Sequence, residues 1–271
     1  MNLKKKLHRG RKQNIEFIGL KKYIHKERSE IIKNLIVPVI ERELGKNLIA
    51  IAADGSYARN EDTDFSDIEL VIFVKDRTQL PRGFGKIIDG ILIEGLFVTE
   101  QEYYQNTLDV NEEWYLAGSD RLKALTNPPF IQKVRRYKVK HLREKCFKQA
   151  HEMLFGVQES FGKLFTAIKN KNKENLFPIV ADAVMQVLKL MAYLNETPYR
   201  TLGSFVTQAK GFTMKPDGFD EFITIIINGR YVDLKLLEKR STKLFAGTEQ
   251  LFVKKMGPDI YDSHLVHITQ K

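Results

Sequence analysis

Residues 48–74 read LIAIAADGSYARNEDTDFSDIELVIFV. Two apolar runs, Leu48 to Ala53 and Ile68 to Val74, bracket a polar stretch of Gly, Ser, Asn and Asp, and the second run is rich in β-branched and aromatic residues. That pattern predicts strand, loop, strand. Asp67-Ile68-Glu69 opens the second strand. Alternate side chains on a strand point to opposite faces, so Asp67 and Glu69 are expected on one face, with Ile68 and Leu70 on the other. Carboxylates held side by side repel one another unless a cation joins them, which makes this spot a predicted site for a hard divalent ion, Mg²⁺. Such an ion would bridge triphosphate oxygens, offset the charge of a leaving pyrophosphate and hold the α-phosphorus in line for attack. Gly55 would let the backbone approach the phosphates, Ser56 would donate hydrogen bonds to them, and Arg59 would add a charged contact. Taken singly, a Gly-Ser or an Asp-x-Glu is equally well an ordinary surface turn or a solvated strand end.

Upstream, apolar positions at helical spacing (Ile18, Ile24, Ile31, Ile32, Leu35) predict a helix from about Ile15 to Leu44, bent or split at Pro38. Downstream, Ile87 to Val98 contains two β-like pieces separated by Asp89-Gly90, a dipeptide suited to a tight hairpin. From Glu100 the character changes. A helical segment near Thr99 to Leu108 and an irregular Asn127-Pro128-Pro129 lead into long helical patterns, and strand signals nearly vanish. Lys140 to Asn170 places Phe147, Ala150, Leu154, Val157, Phe161, Leu164 and Ile168 on one stripe. Ile179 to Leu194 is apolar almost all round and reads as the central buried helix of a bundle, and Val232 to Met256 supplies another helix. The expected class is α+β: a mixed sheet with helices in residues 1–130, followed by a helical bundle in residues 131–271, with the change falling near 127–135.

A chain of 271 residues is comfortable for two domains, and 43% hydrophobic residues with 17 Phe and 10 Tyr can bury real cores, which excludes disorder. The single cysteine, Cys146, cannot form an internal disulfide, and no Cys/His cluster suggests zinc. His8, His25, His151, His264 and His267 have no spaced partners that would make a metal site. Met1 to Lys12 is basic like the start of a signal peptide, but no apolar run of the needed length follows, and no stretch approaches a membrane span. A cytoplasmic, untargeted protein without a membrane partner is expected. The balance of 44 Lys+Arg against 34 Asp+Glu, a net charge of +10, favours polyanions or phosphorylated ligands, or is simply a basic surface. Lys4-Lys5-Lys6 and Arg135-Arg136 sit near candidate ends and linkers, where solvated charge is normal.

The joint pattern in the loop is more telling than its parts. Gly-Ser, an Arg three residues beyond the Ser, then Ser-Asp-x-Glu opening an apolar strand resembles the signature of the nucleotidyltransferase superfamily that includes DNA polymerase beta. That superfamily often carries a third acidic residue on a neighbouring strand. Glu94 in Ile91-Leu92-Ile93-Glu94-Gly95-Leu96-Phe97-Val98 fits the position, as a metal ligand or as a contact to the acceptor; otherwise it is an edge-strand Glu facing solvent. Further landmarks resemble the kanamycin nucleotidyltransferase family, in order: the motif loop, the strand ILIEGLFV, the Glu112-Glu113-Trp114 patch, the helix containing Glu159-Ser160-Phe161-Gly162-Lys163, and Tyr199-Arg200-Thr201. They span roughly residues 48–220, and outside the loop the matches are short.

The resemblance implies an Mg²⁺-dependent transferase moving AMP from ATP, or another nucleoside triphosphate, to a hydroxyl of a small molecule, an aminoglycoside first. It implies that Glu159 takes the proton from the acceptor hydroxyl, that Lys163 holds a nucleotide phosphate, and that the protein is a homodimer whose active sites draw on both subunits, with antibiotic resistance as the biological setting. The residues themselves permit an i, i+4 pair on one helix face, which is equally an ordinary surface ion pair. A polycationic acceptor calls for carboxylates, and Glu94, Glu112 and Glu113, with Asp62 and Asp64, are candidates or are solvated surface acids. Trp114 lines the pocket or packs in an interdomain contact. Asp54 departs from the family pattern, standing where a neutral residue would repel phosphate less. A lincosamide acceptor uses the same chemistry. An RNA or DNA 3′-end acceptor is a further alternative that the net charge and the abundant Tyr and Phe would suit, though no ordered basic-aromatic motif supports it. A toxin–antitoxin role would draw on Arg136 and His141, whose spacing of helical-domain ribonuclease type is better explained by chance.

Overall fold

The structure is a computed structural model that describes residues 19–116 and 122–257. The basic start, Met1 to Lys12, lies outside the described residues, as do Ile15, Ile18, His264 and His267. The protein is α+β, as the hydrophobic pattern predicts. In chain order the elements are α1 (His25–Ile31), a π-helical turn (Ile32–Ile36), α2 (Val37–Leu44), β1 (Leu48–Ala53), the one-turn α3 (Gly55–Ala58), β2 (Ile68–Val74), β3 (Gly83–Ile88), β4 (Ile91–Val98) and α4 (Glu100–Glu102). After a second π-helical turn (Tyr103–Leu108) come β5 (Lys123–Ala124), α5 (Pro128–Arg135), α6 (Leu142–Lys169), α7 (Leu176–Leu194), α8 (Phe205–Lys210), α9 (Phe219–Ile227) and α10 (Leu234–Met256). Contacts divide the described chain into two compact units, residues 19–99 with 122–132 and residues 100–116 with 133–257. The segment 100–116 thus groups with the helical unit although it precedes position 131.

The first unit is a five-stranded sheet in the order β3-β4-β2-β1-β5. β2 and β4 run parallel, and the other pairings are antiparallel. Ile51, Ala53, Ile68, Leu70, Ile72, Val74, Ile91 and Ile93 form one buried sheet face and pack with Ile32 and Ile40 of the helical layer. Burial of such a side chain contributes roughly 1.5–3 kcal/mol, so this face decides which way β2 turns. By alternation Glu69 is sent to the opposite face.

Several expectations need correction. The first helix begins at His25, with residues 19–24 non-helical, and the expected bend at Pro38 is a π-helical turn that delivers Pro38 to the first turn of α2, where its missing N–H costs little. β3 starts at Gly83, earlier than Ile87, because Gly83 and Gly85 carry no strand propensity to read. Asp89 and Gly90 do form the tight turn, with φ of 52° and 79°. β5 appears where strands were expected to have ended; two residues are too few to leave a pattern. Pro128 and Pro129, read as irregular, open α5, where a helix tolerates proline.

In the second unit α6 and α7 pack along their length. Ala150, Leu154, Val157, Phe161, Leu164 and Ile168 are buried as the stripe predicts, while Phe147 is half-buried under Arg143, whose guanidinium lies 5.2 Å from the ring centroid. α7 is, contrary to expectation, long and apolar enough by composition to cross a membrane, with a mean hydropathy of 1.5. Half of that stretch is buried in the unit, and its Asp182 accepts a hydrogen bond from the buried Ser160 of α6 at 2.5 Å, so the apolarity serves a core helix here.

Candidate functional site

The turn leaving β1 is tied to the strand that carries the acids. The Asp54 N–H donates to the Glu69 carbonyl at 2.9 Å, and the Asp54 carboxylate accepts from the Gly55 N–H at 2.6 Å, capping α3. The residue that looked unfavourable for phosphate therefore has a local task. Gly55 has φ of +64°, and a Cβ built on it would lie 1.5 Å from Glu69 Oε2. The Glu69 carboxylate occupies the space that a side chain at position 55 would need, which fixes glycine there twice over. Ser56 follows, half-buried.

Glu69 and Glu94 are register partners across the parallel β2–β4 pair. β4 lies between β3 and β2, so Glu94 is not on an edge strand as one reading had it; it is exposed on an inner strand beside a second carboxylate. Gly85 opposes it from β3, leaving its ideal Cβ 3.9 Å from Glu94 Oε1. Asp54, Glu69 and Glu94 line an open cleft of about 440 Å³ with Arg82, Gly83 and Gly95. Asp67 stands half-buried immediately before β2. Among the described residues no three His, Cys, Asp or Glu side chains are grouped to hold a metal by themselves. Mg²⁺ is ordinarily held by one or two carboxylates plus phosphate oxygens and water, a demand that Asp67 and Glu69 can meet at the Gly55 cradle.

Arg59 pairs with Glu61 at 2.7 Å; its side chain is 11% exposed, and its Nη1 is buried without a hydrogen-bond partner among the described residues. A buried donor left in this way suits an anion. Asp62 is no substrate contact: its side chain is 1% exposed, and both oxygens are engaged, by Arg28 at 2.9 Å and His25 at 2.6 Å. Asp64 is exposed, 3.5 Å from Lys22.

In the helical unit, Lys163 and Glu159 form an i, i+4 ion pair at 2.7 Å on α6, and that hydrogen bond holds the Lys163 amine above its usual pKa. Both side chains are exposed. Glu112 and Glu113 are exposed. Of the two readings of Trp114, pocket lining or packing, the packing one fits its surroundings: the ring is buried and stacked on Tyr193 with centroids 5.7 Å apart, beside α7 in the core of its own unit. His141 has φ of 54° and precedes α6, while Arg136 follows α5, so the two share no helix.

Sequence reasoning missed Arg28, His25, Ser29 and Tyr57, which hold the motif loop from α1 and α3, and Arg82 on the cleft. Nothing in the helical pattern of residues 25–31 marks Arg28 as buried. A positively charged residue on that segment reads as surface until the loop is folded against it.

Residues 129–257 match the family described as KNTase C-terminal domain. Over those residues, a little under half of its length, the chain is kanamycin nucleotidyltransferase-like. Comparison with curated proteins finds no match. A solved structure of a nucleotidyltransferase-like protein from Exiguobacterium sibiricum is similar at 14% identity and a TM-score of 0.45, over 83% of this chain and 76% of that one.

Proposed function

We propose that this kanamycin nucleotidyltransferase-like chain is an Mg²⁺-dependent O-adenylyltransferase, moving AMP from ATP to a hydroxyl of a small polycationic acceptor, an aminoglycoside first. The observation that carries the reading is the Glu69 carboxylate seated in the space above Gly55, with Glu94 beside it in register. A phosphate-approaching turn and a cation-binding strand meet there.

Asp67 and Glu69 would hold the ion, which when bound supplies charge neutralisation at the triphosphate. The turn at Gly55 and Ser56 orients the phosphates, and Arg59 faces an anion with its unpartnered Nη1. Glu94, and Glu112 and Glu113 from the helical unit, would attract acceptor ammonium groups. Glu159 accepts the hydroxyl proton as the oxygen attacks the α-phosphorus; the new O–P bond forms while the bond to pyrophosphate breaks. Lys163 holds a phosphate. In a homodimer, the arrangement that the family resemblance implies, Glu159 of one subunit would serve the acids of the other. A cytoplasmic location goes with this reading, since ATP and Mg²⁺ are at hand there.

Pyrophosphate release from Mg-ATP, screened against kanamycin, neomycin, lincomycin and a short RNA, tests the proposal. Kanamycin- or neomycin-dependent release that disappears in Asp67→Asn and Glu69→Gln, with both variants folded, is expected. Near-normal turnover in either variant would refute the metal assignment. Release that depends only on lincomycin would move the acceptor to the lincosamides, and release with RNA would overturn the small-molecule reading.

A further inference from the structure

We infer that Arg28 of α1 is a positioning residue that sets the two acids of the motif, an inference that rests on the metal reading above. The side chain is fully buried. Its guanidinium donates from Nε to the Ser66 carbonyl at 3.0 Å, from Nη1 to the Tyr23 carbonyl at 2.8 Å and the Asp62 carboxylate at 2.9 Å, and from Nη2 to the carbonyls of Thr63 at 2.6 Å and Asp64 at 3.0 Å. Every N–H of the fork is thereby used.

The consequence for the site follows from peptide geometry. The Ser66 carbonyl belongs to the planar unit that ends at the Asp67 Cα, so fixing that oxygen fixes the plane from which Asp67 departs. Carbonyls of Thr63, Asp64 and Ser66 all turn inward to one cation, so the loop reaches β2 in a single conformation. The other lip is held from the same helix. The second Asp62 oxygen lies 2.6 Å from His25 Nδ1, His25 stacks on Tyr57 with centroids 4.7 Å apart, and the Tyr57 hydroxyl is 2.8 Å from Ser29 Oγ. Tyr57 lies in α3, directly after Gly55-Ser56. One turn of α1 therefore grips both the phosphate-approaching turn and the stretch leading into the acids.

Stability alone does not explain a buried guanidinium. Taking such a charge out of water is costly even when paired, and apolar replacements of buried ion pairs are often neutral or stabilising. What the arginine supplies is orientation of a loop that buries little apolar surface of its own to fix it, since Thr63, Asp64 and Phe65 are exposed. Lysine keeps the charge but offers a point donor in place of a planar fork.

The test uses Arg28→Lys and Arg28→Ala, with His25→Phe, which keeps a ring over Tyr57 and loses the contact to Asp62. Metal affinity is read by calorimetric titration of Mg²⁺ in the presence of a non-hydrolysable ATP analogue, and loop order by amide hydrogen exchange. In folded Arg28→Lys we expect Mg²⁺ affinity to fall about 10- to 100-fold, the range found when residues that orient metal ligands are replaced. Exchange of the Ser66 to Glu69 amides should rise while that of α6 and α7 is unchanged. Millimolar guanidinium should restore part of the affinity in Arg28→Ala, and should Arg28→Ala not fold, Arg28→Lys and His25→Phe carry the test, the latter expected to lose affinity in the same direction. Unchanged Mg²⁺ affinity and exchange in Arg28→Lys would overturn the inference. A wild-type protein that binds no Mg²⁺-nucleotide would sink the metal reading and this inference together, and that result is seen before any substitution is made.

Discussion

Gly55 shows how one missing side chain can make a site. Two separate constraints act on it: a φ of +64°, which costs an L-residue about 1–2 kcal/mol, and the Glu69 carboxylate where Cβ would lie. Gly229 separates them, because its φ is +66° and nothing among the described residues stands within 4 Å of its ideal Cβ. Gly229→Ala should lose only the backbone cost, whereas Gly55→Ala should lose that and also displace Glu69. We expect both variants to melt a few degrees lower and Gly55→Ala alone to lose Mg²⁺-nucleotide binding, measured by thermal denaturation and calorimetry. Equal binding losses in the two would detach Glu69 from the metal. At this scale the sequence is legible where chemistry dictates residue type. Gly55 stands out because few other residues could take its φ and leave room for the Glu69 carboxylate. Arg28 does not stand out, because its role is set by a loop that begins more than thirty positions away and folds back onto it. Trp114 stays open in the sequence for a related reason: aromatic rings suit pockets and cores alike, and only the neighbouring Tyr193 decides.

Helices announced themselves where a stripe of apolar residues had to meet a partner. The α6 stripe could be read to within two residues at its ends, since Ala150, Val157, Phe161 and Leu164 must all reach the core. Short or glycine-bearing elements could not be read, because β3 gains its place from pairing with β4 and from the Phe84 ring lying over Gly95, not from its own propensity. Gly162 poses the opposite puzzle within α6. It sits in a helix interior, where glycine costs about 0.5–1 kcal/mol relative to alanine, yet its ideal Cβ would meet nothing within 4 Å. No packing among the described residues requires it. It is adjacent to Lys163 and one turn from Glu159, on a stretch where both side chains are exposed. Gly162→Ala is therefore expected to raise the melting temperature, by an amount matching about 0.5–1 kcal/mol, and to lower kcat/KM for the acceptor by keeping it from the helix backbone. Steady-state kinetics beside a thermal melt decide it. A stabilised variant with unchanged kcat/KM would leave this glycine without a functional reason.

For the whole molecule, the change from mixed sheet to helices was visible in the loss of strand signals, whereas the membership of residues 100–116 was not. That segment is tied to the helical unit by contacts distant in sequence, such as Lys145 with Asp109 at 2.6 Å and the Tyr193 hydroxyl donating to the Asn111 carbonyl at 2.7 Å. Such pairings leave no local pattern. The division matters for function because the candidate metal acids belong to one unit and Glu159 with Lys163 to the other. A dimer that completes each site from two subunits makes a prediction that a self-sufficient subunit cannot. Asp67→Asn and Glu159→Gln should each be inactive alone. Co-expressed in equal amounts, they should assemble so that about half the dimers are mixed, each with one site that has both residues intact, giving about a quarter of wild-type turnover. If acids and base act within one subunit, every site in the mixture lacks one of them and no activity returns. Sedimentation of the wild-type protein supplies the second arm, because a fully active monomer would remove the partner's contribution, and Glu159 would then have to reach the acids of its own chain.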